Sequence, residues 1–141
     1  MKASVKFDGS MSLIGSNELG HETKFDSHVD NQGHDRAPTP MEIMLQSVGA
    51  CSMTDVLIVL NKQRKEVGDL IVHIDSERAK EHPRVFTKVH LNYLLISADA
   101  TQEELEKAVK LSHDTYCSAS NILKKSGCEV TWETAVRLPQ V

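Results

Sequence analysis

The chain has 141 residues, of which 40% are hydrophobic, 26% charged and 4% aromatic, and its formal net charge is −4. These values are typical of one globular domain, residues 1–141, and argue against a disordered, collagen-like or repeat protein. An acidic chain with few aromatic residues also lacks the basic surface and the stacking platforms expected of a nucleic-acid-binding protein.

The chain has three cysteines, Cys51, Cys117 and Cys128. The number is small and odd, which argues against the disulfide scaffold of a small secreted protein. They include no Cys-x-x-Cys pair of the kind that holds structural zinc. The first residues lack the apolar core of a signal peptide, and the longest apolar run, residues 56–60, is far too short to cross a membrane. We therefore expect a soluble, cytoplasmic protein with no membrane partner.

The first third of the chain predicts short strands joined by turns. Val5 and Phe7 alternate with polar residues, residues 11–14 form a second apolar run, and residues 21–26 form a third candidate strand. Residues 30–40 contain two prolines and a glycine, which disfavour both helix and strand, so this segment is predicted to be a loop.

A long helix is predicted directly after this loop. Thr39 is a favourable N-cap, Pro40 suits the first helical position, and Glu42 completes a Thr-x-x-Glu capping box. The helical pattern runs to about Lys65 and is apolar on nearly every face. Because one sheet covers only one side of such a helix, we expect a second copy of the chain to cover the other side.

The rest of the chain predicts two strands, two helices and a last strand. Residues 70–75 and 85–96 alternate in polarity on either side of a charged turn, which predicts an antiparallel hairpin. The predicted inward face of its second strand carries Val85, Thr87, Val89, Leu91, Tyr93 and Leu95. Thr101 opens a second capping box, and the helical pattern weakens around residues 113–116 before it resumes. With a last strand at residues 128–137, this order favours an α+β fold with a mostly antiparallel sheet.

Two of the cysteines are candidates for chemistry. Cys51 lies in the middle of the long helix, where a packed core cysteine is the commoner alternative, but its small neighbours leave space beside the sulfur. Cys117 directly precedes a short helix, whose free N–H groups favour a thiolate, and a packed cysteine is an equal alternative there. Cys128 faces inward on the last strand and is predicted to be a core residue.

A reactive Cys51 needs a cation beside it, because a thiolate rather than a thiol attacks a peroxide. Cys51 is too far along its helix for the helix dipole to act, and Asp55, one turn later, would favour the neutral thiol. Arg36, in the loop before the helix, is the arginine nearest in sequence and would also bind a peroxide oxygen. His34 and His113 are weaker candidates.

Glu42, besides its capping role, is a candidate to orient Arg36. The seven histidines form no HxxxH or HExxH pattern on a helix. His73 and His90 alternate off the apolar faces of their strands and are expected at the surface. We therefore expect neither a metal nor a cofactor.

Three segments resemble motifs of the OsmC/Ohr family. Residues 37–55, APTPMEIMLQSVGACSMTD, are similar to the central-helix motif, and residues 85–93, VFTKVHLNY, to the hairpin that follows it. Residues 114–120, DTYCSAS, are similar to the second cysteine motif, and the two cysteines are 66 positions apart. The resemblance covers nearly the whole chain and is closest to the YhfA-like branch of the family.

This resemblance implies an OsmC-like α+β fold, in which antiparallel sheets wrap around long central helices in an intertwined homodimer. It also implies a thiol-dependent peroxidase of hydroperoxides, often organic ones. Cys51 would be oxidised to a sulfenic acid, which Cys117 would resolve as an intrachain disulfide. An external dithiol, of the lipoyl type in the best-known branch, would then reduce the disulfide.

The chain departs from the family pattern in the residues expected to activate the thiol. The family has an acidic residue directly after the helix-opening proline, whereas this chain has Met41 there and its acid one step later, at Glu42. The family's activating arginine comes from the N-terminal strands, and this chain has no arginine before Arg36. The alternative hypothesis is a redox-sensing or apolar-ligand-binding protein on the same fold, without peroxidase turnover.

Overall fold

The computed structural model describes residues 1–140, which form two compact units, Met1–Gln46 and the chain from Ser47 onward. These residues fold into two three-stranded sheets and three α-helices, so the predicted α+β class is confirmed. The strands are β1 (Ala3–Phe7), β2 (Leu13–Asn17), β3 (Glu22–Phe25), β4 (Asp69–Arg78), β5 (Phe86–Ile96) and β6 (Glu129–Arg137). The helices are α1 (Pro40–Lys62), α2 (Gln102–Leu111) and α3 (Ser118–Lys125), with a short 3-10 turn at Val29–Asn31 and a π turn at Ser112–Tyr116.

The first unit contains the sheet β1-β2-β3, in which both strand pairs are antiparallel. The loop between β3 and α1 is organised by Asp26, which is only 2% exposed. Its carboxylate accepts the backbone N–H groups of Ser27, His34 and Arg36. These bonds, with that from Ser27 the strongest, hold the pKa of Asp26 below its usual value.

The helix α1 begins at the predicted residue because its capping box forms. The Thr39 N–H donates to Glu42 Oε2 at 2.7 Å, and the Glu42 N–H donates to Thr39 Oγ1 at 3.3 Å. The helix is continuous to Lys62, three residues short of the predicted end. Its buried residues lie along one stripe and are Val48, Gly49, Ser52, Val56 and Leu60.

By length and composition alone, α1 is also apolar enough to cross a membrane. An 18-residue window within Pro40–Lys62 has a mean hydropathy of 1.7. The core helix of a globular protein passes the same test, and here the helix is followed by a sheet and two further helices. The composition of α1 therefore does not by itself indicate a membrane protein.

The second unit contains the sheet β4-β5-β6. The strands β4 and β5 form the predicted antiparallel hairpin, whereas β6 pairs with β5 in parallel, an arrangement that requires the crossover through α2 and α3. The register shifts at Glu77 and Arg78, so that Arg78 pairs with Phe86. As a result Phe86 is buried, while Val85 and Thr87, which were predicted to face inward, are exposed.

The two shorter helices pack against β6 and are joined by the π turn. The helix α2 opens with the predicted capping box, in which the Glu104 N–H donates to Thr101 Oγ1 and the Thr101 N–H donates to Glu104 Oε2. The π turn accounts for the weakened helical pattern and is closed by a 2.7 Å bond from the Cys117 N–H to the Ser112 carbonyl. It directs both Ser112 and His113 into the interior.

Candidate active site

The second unit brings the thiols of Cys51 and Cys117 together. Cys51 lies on α1, Cys117 directly precedes α3, and the Cys117 sulfur lies 3.9 Å from the carbonyl oxygen of Val48, one turn before Cys51. Both cysteines are free thiols; Cys51 is half-buried and Cys117 is fully buried. Cys128 is buried as predicted, with its sulfur 3.7 Å from the carbonyl oxygen of Glu129. The two cysteines that the motifs pair therefore share one site.

The surroundings of Cys117 oppose ionisation. Its sulfur accepts the Ser120 N–H at 3.4 Å as the N-cap of α3, and it lies 3.9 Å from the Val48 carbonyl oxygen. This N–H contact with the helix was predicted. Burial nevertheless raises the pKa of the Cys117 thiol and outweighs the lowering by Ser120, while the neighbouring Cys51 raises it further. The prediction that this position favours a thiolate was therefore wrong in its net direction.

A buried row of polar side chains lies in the same unit, and no sequence motif indicated it. The Ser52 Oγ is 2.6 Å from the Tyr93 hydroxyl, which is 2.8 Å from His113 Nε2. The Ser112 Oγ is 3.1 Å from the Ser52 Oγ and donates to Asp55 Oδ2 at 2.8 Å. Except for Asp55, these groups are almost completely shielded from solvent. We refer to these five residues as the polar cluster.

The polar cluster lies beside the two thiols. Tyr93 has a pKa raised well above its ordinary value, mainly by burial. Negative charge on Cys117, Asp55 or Cys51 raises the pKa of Tyr93 further, so the phenol is within electrostatic range of both sulfurs. A fixed hydroxyl at this place is therefore able to influence the geometry of the thiol pair.

His113 is a neutral residue of the core. Its ring stacks on Trp132, with the centroids 6.4 Å apart, and its carbonyl oxygen accepts from Lys124 Nζ and Asn121 Nδ2. Burial lowers the pKa of His113 to about 4, and the charge of Lys124 contributes to this shift. His113 is thus uncharged at neutral pH, so the suggestion that it supplies a cation to Cys51 was wrong. Its Nδ1 has no hydrogen-bond partner within residues 1–140.

Arg36 and Glu42, the residues predicted to activate the thiol, belong to the first unit. Arg36 is exposed, and its guanidinium makes no hydrogen bond or ion pair with the residues that the structure describes. Glu42 has a lowered pKa, mainly because of its bonds to Thr39 and also because of the nearby His28. The titratable group found near Glu42 is therefore His28, and the roles of Arg36 and Glu42 in activation stay predictions.

A groove of about 470 Å³ lies on the second unit. It is lined by Asp55, Ile58, Val59, Lys62, Gln63, Leu111 and Tyr116. Its walls are mostly apolar, and Asp55 belongs to both the groove and the polar cluster. The polar cluster thus runs from the wall of this groove to the buried His113.

Comparison with known proteins gives a consistent result. Residues 33–133 match the family model described as OsmC-like protein. Protein YhfA of Escherichia coli (strain K12) is 37% identical over 126 residues, which cover 89% of this chain and 91% of YhfA.

Solved structures share the fold. A hypothetical protein from Aquifex aeolicus VF5 is 27% identical, with a TM-score of 0.79 and 96% of each chain covered. The organic hydroperoxide resistance protein OhrB of Bacillus subtilis is 18% identical, with a TM-score of 0.63 and coverage of 96% of this chain and 98% of OhrB. At that identity the likeness to OhrB concerns the fold alone. The predicted OsmC-like fold is confirmed.

Proposed function

This chain belongs to the OsmC-like family, and we propose that it is a thiol-dependent peroxidase that reduces hydroperoxides. The observation that carries the proposal is the position of the Cys117 sulfur against α1, 3.9 Å from the carbonyl oxygen of Val48, one turn before Cys51. The Cys51 sulfur attacks the O–O bond, which releases an alcohol and leaves a sulfenic acid. The Cys117 sulfur then displaces that oxygen as water and forms the disulfide. The motifs around Cys51 and Cys117, which resemble those of the OsmC/Ohr family, favour an organic hydroperoxide as substrate.

The proposal includes the residues and partners that complete the cycle. Arg36 is the cation that favours the Cys51 thiolate, and Glu42 orients it. An external dithiol of the lipoyl type reduces the disulfide, and the protein works in the cytoplasm without metal or cofactor. An Arg36→Ala variant should therefore form the sulfenic acid more slowly than the wild type, as measured by dimedone labelling, and an unchanged rate would remove Arg36 from the proposal.

The proposed functional unit is a homodimer. Only 28% of the apolar window of α1 is buried within the chain, and Met44 and Ile58 on this helix are about half exposed. Apolar area of this kind gains about 25 cal/mol per Å² when a partner removes it from water. We expect a dimer at micromolar concentration in analytical ultracentrifugation, and a stable monomer there would contradict this part of the proposal.

Mass spectrometry after oxidation tests the peroxidase proposal. One equivalent of tert-butyl hydroperoxide should produce one Cys51–Cys117 disulfide in the reduced protein. Cys51→Ser should abolish turnover, and Cys117→Ser should trap a Cys51 sulfenic acid that dimedone labels. Cys128→Ser is the matched control, since its buried thiol takes no part in the reaction, and it should react as the wild type does. Unchanged thiols after excess peroxide would contradict the proposal.

The second candidate function is a redox-sensing or apolar-ligand-binding protein without turnover. It is favoured by the apolar groove and by the exposed guanidinium of Arg36, which has no partner among residues 1–140. The two functions differ in the reactivity of Cys51 towards iodoacetamide. Rapid alkylation of Cys51 already at pH 7 supports the peroxidase, whereas alkylation only at alkaline pH supports the second candidate.

A further inference from the structure

The hydroxyl of Tyr93 joins the two segments that carry the reactive cysteines. It lies 2.6 Å from the Oγ of Ser52, the residue after Cys51 on α1. It also lies 2.8 Å from Nε2 of His113, which is in the π turn four residues before Cys117. One side chain of β5 therefore links α1 to the π turn at the level of the thiol pair.

The polar cluster joins α1 to the π turn through several hydrogen bonds. The Asp55 carboxylate only accepts, so the one hydroxyl hydrogen of Ser112 is directed to it. The Ser112 Oγ also lies 3.1 Å from the Ser52 Oγ. The Ser52 Oγ lies 2.6 Å from the Tyr93 hydroxyl and 3.4 Å from His113 Nε2, and the Tyr93 hydroxyl lies 2.8 Å from that same nitrogen. Because these bonds connect α1, β5 and the π turn, the polar cluster fixes the relative position of α1 and the π turn.

The far side of the π turn is held independently of Tyr93. Lys124 Nζ and Asn121 Nδ2 donate to the His113 carbonyl at 2.6 and 3.1 Å. The Cys117 N–H donates to the Ser112 carbonyl. The π turn is thus held in place from this side, and the Tyr93 hydroxyl bridges it to α1 beside the direct contacts of Ser112 and His113 with that helix.

We infer that Tyr93 is a positioning residue, whose hydroxyl holds together the segments that carry Cys51 and Cys117 and so favours the disulfide between the two sulfurs. This inference deepens the proposed function and rests on it. In the step concerned, the Cys117 sulfur attacks the sulfur of the Cys51 sulfenic acid and the S–O bond breaks. The thiol proton of Cys117 leaves with that oxygen as water. Tyr93 exchanges no electrons and acts by maintaining the orientation of the reacting atoms.

The test compares the full-length wild type with Tyr93→Phe, which keeps the ring and removes the hydroxyl. In mixtures of reduced and oxidised glutathione, the Cys51–Cys117 disulfide forms without peroxide, and mass spectrometry measures its ratio to the dithiol. We expect this ratio to fall about tenfold, since the variant loses both hydrogen bonds of the hydroxyl. After peroxide treatment, the Cys51 sulfenic acid should persist about tenfold longer while forming at the wild-type rate.

Two further variants make the test specific. Ser52→Ala removes the other end of the Tyr93 bond and should reproduce both changes, which keeps the inference testable if Tyr93→Phe does not fold. Thr54→Ala is the matched control, because Thr54 is exposed and its hydroxyl donates to the backbone carbonyl of Ala50 on the same helix. It should behave as the wild type does.

The outcomes separate this inference from the proposed function. Wild-type values for Tyr93→Phe and Ser52→Ala in both measurements would overturn the inference alone, provided that peroxide oxidises the wild type. A disulfide that forms in glutathione but not with peroxide, and that weakens in Tyr93→Phe, would overturn the peroxidase and support the positioning role. A wild type that forms no Cys51–Cys117 disulfide under either condition would overturn both.

Discussion

The free energy of unfolding should decrease as the pH falls from 7 to 4, because His113 is buried in its neutral form. Burial lowers its pKa from 6.5 to about 4, with a contribution from the charge of Lys124. Between these two values the unfolded chain binds a proton that the folded chain does not. The stabilisation is therefore complete above pH 6.5 and is lost as the pH falls through 4. At 1.36 kcal/mol per pH unit, the loss reaches about 3 kcal/mol.

Other groups titrate in the same range, so the effect of His113 is measured as a difference from a variant. The raised pKa of His28 favours folding as the pH falls, whereas the lowered pKa values of Glu104 and Asp114 have the opposite effect. These groups are the same in both proteins and cancel in the difference. His113→Gln is the appropriate variant, since it removes the titrating imidazole but keeps an N–H donor for Tyr93.

Urea unfolding at several pH values and one protein concentration provides the assay. The fluorescence of Trp132, the one tryptophan of the sequence, reports on the region because its ring stacks on His113. From pH 7 to 4 the wild type should lose about 3 kcal/mol more than His113→Gln. Parallel curves of stability against pH would refute the reasoning, because they would mean that folding leaves the pKa of His113 unchanged.

Three further predictions concern contacts around the site and in the first unit. Lys124→Met removes a positive charge beside His113 and should make the pH-dependent loss smaller in the same assay. Thr101→Ala deletes the N-cap of α2 and should lower the free energy of unfolding by about 1 kcal/mol in urea. Gly33→Ala would place a Cβ 1.7 Å from the Ser27 carbonyl oxygen, so limited proteolysis should cut the loop before α1 faster. Wild-type behaviour in any of these assays would contradict the contact concerned.

Local signals in the sequence determined where the helices begin. The capping boxes at Thr39 and Thr101 both form, because the donor and acceptor of such a box are only three residues apart. The alternating polarity of residues 85–96 likewise predicted a strand, which the structure confirms as β5. The pairing of Cys51 with Cys117 came from the family resemblance, and no local rule would have supplied it.

The tertiary structure decided the strand register and the partners of buried polar groups. Alternation alone placed Val85 and Thr87 inward, but the shift at Arg78 turns Phe86 inward instead, since register depends on the neighbouring strand. The parallel pairing of β6 with β5 depends in the same way on where the crossover helices pack.

In the candidate active site, too, some features followed from the local sequence and others only from the packing of the chain. The position of Cys117 before a helix correctly predicted its bond from the Ser120 N–H. The direction of its pKa shift was decided by burial, which is a property of the whole fold. The Tyr93 hydroxyl meets groups 41 residues before it and 20 residues after it in the chain, so no local pattern could place them together. The sequence thus determined the elements and the candidate residues, and only their packing decided the protonation states and contacts on which their chemistry depends.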